Sequence, residues 1–310
     1  MRERDNRETA QVPFANQRGC HRRSRNAHRT ILVTLIGGSG FIGRRLSSAL
    51  QARGDKVTIA SLRDPTAAAR ACDGADGVVN LAGEPVAQRW TPAAKAAIRA
   101  SRVESGAALI EVLGTLRHPP AVYVSASAIG YYGTSREATF DEASPAGSDF
   151  LANVCFDWEA TADRAAALGM RVAKVRTGLV LGKEGGALAK LLPIFKLGAG
   201  GIVASGQQWY SWIAIDDLAG VYLHALDNTA GVLNGCAPNP VRNAEFTRAL
   251  GAAVHRPAIV PVPAFALRLI LGDGATVVTE GQRVLPTRTL ATGYRFRFET
   301  LDDALAGLAL

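Results

Sequence analysis

The chain has 310 residues, 48% hydrophobic and 20% charged, which supplies a sizeable core and excludes global disorder. The formal net charge of +8 is uneven: residues 1–29 hold eight arginines against three acids, leaving +3 for the other 281 residues. No run of 18 apolar residues occurs, so a membrane-spanning helix is excluded.

Four widely scattered cysteines (Cys20, Cys72, Cys155, Cys236) show no CxxC or Cys/His metal spacing, and no secretory signal opens the chain. This excludes a disulfide scaffold and a structural zinc and points to a reducing compartment, read here as the cytoplasm. The length suits either ~2 domains or one large α/β domain with a small lobe.

The tail 1–29 is polar and aperiodic and is expected to be disordered. A basic arm for nucleic acid is one reading of it; a solvated leader or an upstream start is the other and is preferred. Acids among its first residues argue against a transit peptide. Order is expected from near Thr30.

The run 31–36 (ILVTLI) reads as a strand buried on both faces, followed at once by Gly37-Gly38-Ser39-Gly40-Phe41-Ile42-Gly43 and a helix ending at Gly54. Further strands are expected at 57–60, 77–81, 121–126 and 171–177. Helices are expected at 91–116, with Thr91 as N-cap and Pro92 in the first turn, and at 149–168, stopped by Gly169. Strands alternating with helices predict an α/β fold, a doubly wound parallel sheet of Rossmann type. After Leu181, Gly-rich and Pro-rich punctuation suggests a smaller lobe. The expected division is a dinucleotide-binding domain over 30–182, helped by about 210–236, and a substrate lobe from 183–209 and 237–310.

Gly37, Gly40 and Gly43 sit between a strand and a helix. A dinucleotide site needs glycine there so that the chain turns tightly, the backbone approaches the pyrophosphate and the helix packs closely on the strand. The helix N-terminus then offers free N–H groups to phosphate. After the second strand the chain reads Ala60-Ser61-Leu62-Arg63-Asp64. No acid stands at the strand tip for a ribose, while Ser61 and Arg63 suit a 2′-phosphate, so NADP (NADPH) is favoured over NAD. Asp64, before Pro65, reads as a turn residue; Arg63 as a plain surface charge remains open. On the expected helix 91–116, Arg102 falls inside the stripe of Ile98, Leu109 and Leu113. A guanidinium there needs a partner, either a cofactor phosphate or a buried carboxylate.

Several segments together resemble one family: GGSGFIG (37–43), NLAGEPV (80–86), SASAIGYYG (125–133), RTGLVLG (176–182), SWIAIDDLAG (211–220), EGQRVLP (280–286) and LATGYRF (290–296). The chain is similar over roughly 31–310 to the epimerase-family group of the atypical, extended-type short-chain dehydrogenases/reductases. The resemblance implies an NADP-binding Rossmann domain and a small C-terminal substrate lobe. It implies that Gly37, Gly40, Phe41, Ile42 and Gly43 hold the pyrophosphate, and that Ser61 with Leu62 and Arg63 meets the 2′-phosphate. Leu81, Ala82, Gly83 and Ser125 would line the cofactor, and Arg102 and Leu181 would touch it. Two departures stand out: Ser61-Leu62-Arg63 replaces the family's Ser-Arg, and Ala214 replaces a histidine.

Most short-chain dehydrogenases carry a Tyr-x-x-x-Lys pair whose lysine lowers the tyrosine pKa for proton exchange with the substrate oxygen. The corresponding positions resemble Leu151 and Cys155, which cannot replace it. Ser127 stands where the Ser/Thr partner is expected. Tyr131 or Tyr132 is a candidate displaced acid, or else an aromatic pair packing over the cofactor. Gln208, Trp209 and Trp212 are candidates for the substrate pocket, or for lobe–lobe packing. The expected activity is an NADP-dependent oxidoreductase or a nucleotide-sugar-epimerase-like enzyme on a small carbonyl or hydroxyl substrate. The alternative is a non-catalytic NADP(H) sensor. The expected partner is a small-molecule substrate, with no nucleic acid, no membrane and no metal; a homodimer is left open.

Overall fold

The computed structural model describes residues 29–310. The expected disordered tail lies outside the described residues except for Arg29, whose guanidinium reaches Asp76 at 3.1 Å. Six strands form the central sheet: β1 (Leu32–Ile36), β2 (Lys56–Ala60), β3 (Gly77–Asn80), β4 (Val122–Ala128), β5 (Arg171–Thr177) and β6 (Gly231–Gly235). Their order is β2-β1-β3-β4-β5-β6 and every neighbouring pair is parallel.

Side chains alternate across this sheet, so each buried strand supplies apolar residues to both faces. Val33, Leu35, Val79, Val124 and Val175 feed one core cluster, and Ile36, Val78, Tyr123 and Val172 feed the other. Helices α1 (Phe41–Arg53) and α7 (Ile215–Asn228) cover the first face through Leu46, Leu50, Leu218 and Val221. Helices α2 (Pro65–Arg70), α4 (Glu104–Leu113) and α5 (Phe150–Asp163) supply Ala68, Leu109, Leu113 and Ala162 to the second. Each large aliphatic side chain so buried contributes ~1.5–3 kcal/mol.

The expected single helix 91–116 is two helices, α3 (Pro92–Ala100) and α4, separated at Ser101–Val103. The Ser101 hydroxyl (3.1 Å) and Arg102 Nη1 (3.0 Å) both donate to the Ile98 carbonyl, while the Arg102 amide turns to Arg99 O. Side chains thus compete with the helical ladder at that turn. The helix expected over 149–168 has Asp149 as its N-cap, tightens to a 3₁₀ turn after Asp163 and closes at Gly169, φ +80°.

A third core cluster surrounds Leu188, Leu192, Phe195, Trp212, Phe246 and Leu250, in the segments expected to form the small lobe. Those segments contain α6 (Gly186–Lys196), α8 (Asn243–Ala253), α9 (Ala264–Leu271) and the helix Leu301–Gly307. A two-strand parallel pair, Leu179–Leu181 with Trp212–Ala214, joins them to the sheet. Among the described residues no helix is long and apolar enough to cross a membrane.

Candidate functional site

The chain leaves β1 for β2 on one side of the sheet and returns to β3 on the other. This reversal opens a crevice at the carboxyl ends of β1 and β3. Gly37 turns there with φ +76°, and a Cβ on it would lie 3.0 Å from the Ala82 amide nitrogen. A Cβ on Gly43 would lie 2.5 Å from Gly38 Cα, so glycine is what lets α1 seat on the turn. Gly40 is the N-cap of α1, with no side-chain cap and no acid in the first turn. Helix geometry therefore leaves the amides of Phe41, Ile42 and Gly43 without intrahelical acceptors, facing the crevice mouth.

Asn80 shapes the opposite wall. Its amide donates to the Tyr123 hydroxyl (3.1 Å) and its carbonyl accepts from the Ala82 amide (3.1 Å), which bends Leu81–Gly83 toward the glycine turn. The Phe41 ring nests where Cβ atoms on Gly182 and Gly185 would collide with it, at 2.6 and 2.5 Å. That contact fastens the Gly182–Gly186 segment over the first turn of α1.

At the tip of β2, Ser61 and Arg63 are exposed and Leu62 is half-buried. The Arg63 amide donates to Ser61 Oγ at 3.3 Å, and the Arg63 guanidinium forms no ion pair among the described residues. Asp64 is the N-cap of α2, accepting from the Ala67 amide at 2.9 Å. Arg102 is half-buried with no carboxylate within salt-bridge distance among the described residues; it donates to Ile98 O and to Glu84 O (2.9 Å), beside Gly83. Its guanidinium also sits over the Trp158 ring, 5.1 Å from the centroid. Burial lowers its pKa, so an approaching anion would stabilise its charge.

Two of the cofactor candidates have buried side chains. The Leu181 side chain is fully enclosed in the small-lobe core, and the Ser125 hydroxyl is buried and donates to Ala126 O at 2.9 Å. Neither side chain faces open space.

Ser127, Tyr131 and Tyr132 do come together, in a buried polar network that includes residues the sequence reading missed. Ser127 Oγ donates to Glu159 Oε1 (2.7 Å). Arg176 holds both Glu159 oxygens, at 2.7 and 2.8 Å. Its third nitrogen donates to the Tyr132 hydroxyl (2.9 Å), which donates onward to Asn234 Oδ1 (2.7 Å). Burial drives the Tyr132 pKa up against the lowering effect of Arg176, and its hydroxyl is spent inside the network. Tyr131 is half-buried, with its ring centroid 3.4 Å from the Arg176 guanidinium carbon. Two signals marked this network in the sequence: Glu159 lies one turn beyond Cys155 on the same helical stripe, and Arg176 is a charged residue in a strand of the central sheet.

Leu151 and Cys155 face Gly130, whose absent Cβ would lie 3.4 Å from Leu151 Cβ and 3.9 Å from Cys155 Sγ. Burial pushes the Cys155 thiol up to about 12, and the nearby Glu159 adds to this, so it is neutral at ordinary pH. The three described cysteines are free and buried.

Gln208 lines a cavity of about 220 Å³ with Thr134, Ser135, Arg136, Glu280 and Gly281. Its amide nitrogen donates to Val203 O and Val278 O, which fixes its orientation and leaves Oε1 buried and unpartnered. Trp209 borders this region, its indole donating to Arg136 O. Trp212 is fully buried, its indole donating to Asn239 O at 3.0 Å.

Residues 31–236 match the model of the NAD dependent epimerase/dehydratase family. The chain belongs to that family. Residues 262–308 also match a domain of unknown function, DUF1731. Similar relatives include the chloroplastic SDR39U1 homolog of Arabidopsis thaliana, 42% identical over 89% of this chain and 86% of its own. Epimerase family protein YfhF of Bacillus subtilis is 33% identical over 89% and 97%. The crystal structure of human epimerase family protein SDR39U1 (isoform 2) with NADPH superposes with TM-score 0.84 and 38% identity, covering 90% of this chain and 99% of that one.

Proposed function

We infer that this family member is an NADP(H)-dependent oxidoreductase or epimerase-like enzyme acting on a small carbonyl or hydroxyl compound in the cytoplasm. The observation that carries the reading is the crevice between β1 and β3. It offers open amides of the α1 first turn for a diphosphate and an unpaired Arg63 beside Ser61 for a 2′-phosphate. The NADPH in the similar human structure supports the same choice. When bound, the cofactor would give or take a hydride at its nicotinamide.

This chain's own residues would position the substrate. The Ser127 proton is committed to Glu159, so its oxygen is free to accept a hydrogen bond from a substrate hydroxyl. Tyr131, beside Arg176, takes the role of displaced acid, since the Tyr132 hydroxyl is fully engaged. Gln208, with Thr134, Ser135 and Glu280, would shape the substrate end of the cavity it lines.

Calorimetry with NADP, NADPH, NAD and NADH tests the reading: tighter binding of the phosphorylated pair is expected, and heat from none of the four overturns it. A carbonyl-substrate screen following NADPH oxidation tests catalysis, with Ser127→Ala expected to suppress turnover. A non-catalytic NADP(H) sensor is the second reading, favoured by one observation: Leu151 and a neutral Cys155 occupy the positions of the usual proton-transfer pair. Partner binding that responds differently to NADP and NADPH, without turnover, would support it.

A further inference from the structure

The C-terminal part of the chain exposes several large apolar side chains. Leu197, Ile259, Phe265, Leu269 and Ile270 are 65–84% exposed. Helix α9 buries none of its eight residues. The segments 196–204 and 256–262 run side by side: Val260 donates to Gly200 O (3.1 Å), Val262 to Ile202 O (2.9 Å) and Arg256 Nε to Lys196 O (3.1 Å). Helix α9 follows directly from that pair. Exposed apolar clusters of this kind mark interaction surfaces.

The charge pattern of this part of the chain says what covers it. Between Glu184 and Asp216, and again between Glu245 and Asp273, the chain has no Asp or Glu. The same two stretches carry Lys190, Lys196, Arg248, Arg256 and Arg268, all exposed and none in a salt bridge among the described residues. A second copy docked about a two-fold axis would bring these unpaired cations against themselves. A surface with anions at its rim and hydrocarbon beneath fits both features at once. We propose that this face docks onto the headgroup layer of an anionic lipid bilayer, with Leu197, Ile259 and the side chains of α9 entering the interface, and Lys196, Arg256 and Arg268, which adjoin these segments, meeting lipid phosphates. The sequence argument against a membrane partner concerned spanning segments; this surface lies on the bilayer and does not cross it.

The test is flotation of the full-length protein with vesicles of phosphatidylcholine alone or with phosphatidylglycerol. Binding is expected with the anionic vesicles, at least about tenfold weaker without them and reduced by salt. The double variant F265S/L269S is expected to lose at least about tenfold in binding while keeping its NADPH affinity and circular dichroism. The arginine-rich segment 1–29 is present in both proteins, so equal flotation of the variant overturns the proposal. So does no flotation of the wild-type protein. A dimer in sedimentation velocity that dissociates in the variant, with no vesicle binding, assigns the face to a second copy and overturns it as well.

Discussion

The Ser127 hydroxyl lies 2.7 Å from a Glu159 oxygen that Arg176 also holds at 2.7 Å, so the residue at the usual serine position is anchored to a buried ion pair. Removing members of this network should separate positioning from stability. Glu159→Gln leaves the Arg176 charge uncompensated in the interior and should cost about 3–5 kcal/mol in urea unfolding. Ser127→Ala leaves the ion pair intact and should cost only about 1 kcal/mol. A comparable loss in both variants would contradict the buried-pair account.

Arg63 tests cofactor choice. Arg63→Ala should weaken NADPH binding by roughly 1.5–3 kcal/mol, the value of a lost charge-assisted contact, and leave NADH binding nearly unchanged. Calorimetry on both proteins with both dinucleotides reads the difference; unchanged NADPH affinity would show that Arg63 does not meet the phosphate.

Gly43 tests the seating of α1. The Cβ of Gly43→Ala would fall 2.5 Å from Gly38 Cα and 2.7 Å from Gly37 O, both backbone, so the turn itself must shift. A destabilisation of about 1–3 kcal/mol with loss of dinucleotide binding is expected, measured by thermal unfolding and calorimetry.

The buried thiols give a pH dependence with a definite sign. Burial pushes Cys155 up to about 12 and Cys72 to about 11, from an ordinary 9.0. Because the folded values are raised, this contribution to stability is complete below pH 9 and is lost as pH climbs from 9 toward 12. In native protein at pH 8, Cys72, Cys155 and Cys236 should therefore react slowly with a thiol reagent, and all three fully once denatured. Rapid labelling of native Cys155 would contradict its burial.

Much of the architecture is written in local pattern. The apolar run 31–36 reads as a strand buried on both faces, the runs at 77–81 and 171–177 read as further strands, and the glycine turn between a strand and a helix announces a phosphate site. The break at Ser101–Val103 was hidden because helical periodicity continues through it, while the Ser101 and Arg102 side chains take the Ile98 carbonyl. Apolar Leu181 and Trp212 gave no sign of whether they face a ligand or a core; their burial depends on the parallel pairing of 179–181 with 212–214.

The sequence alone determined the parallel α/β class, the glycine cradle and the absence of the usual Tyr/Lys pair, because each is local in the chain. Only the tertiary structure decided that Ser127, Glu159, Arg176, Tyr132 and Asn234 form one network, and that α9 keeps its apolar side chains outside. Hydrogen bonds and burial join residues as far apart as Tyr132 and Asn234. No periodicity along the chain encodes which distant side chains meet.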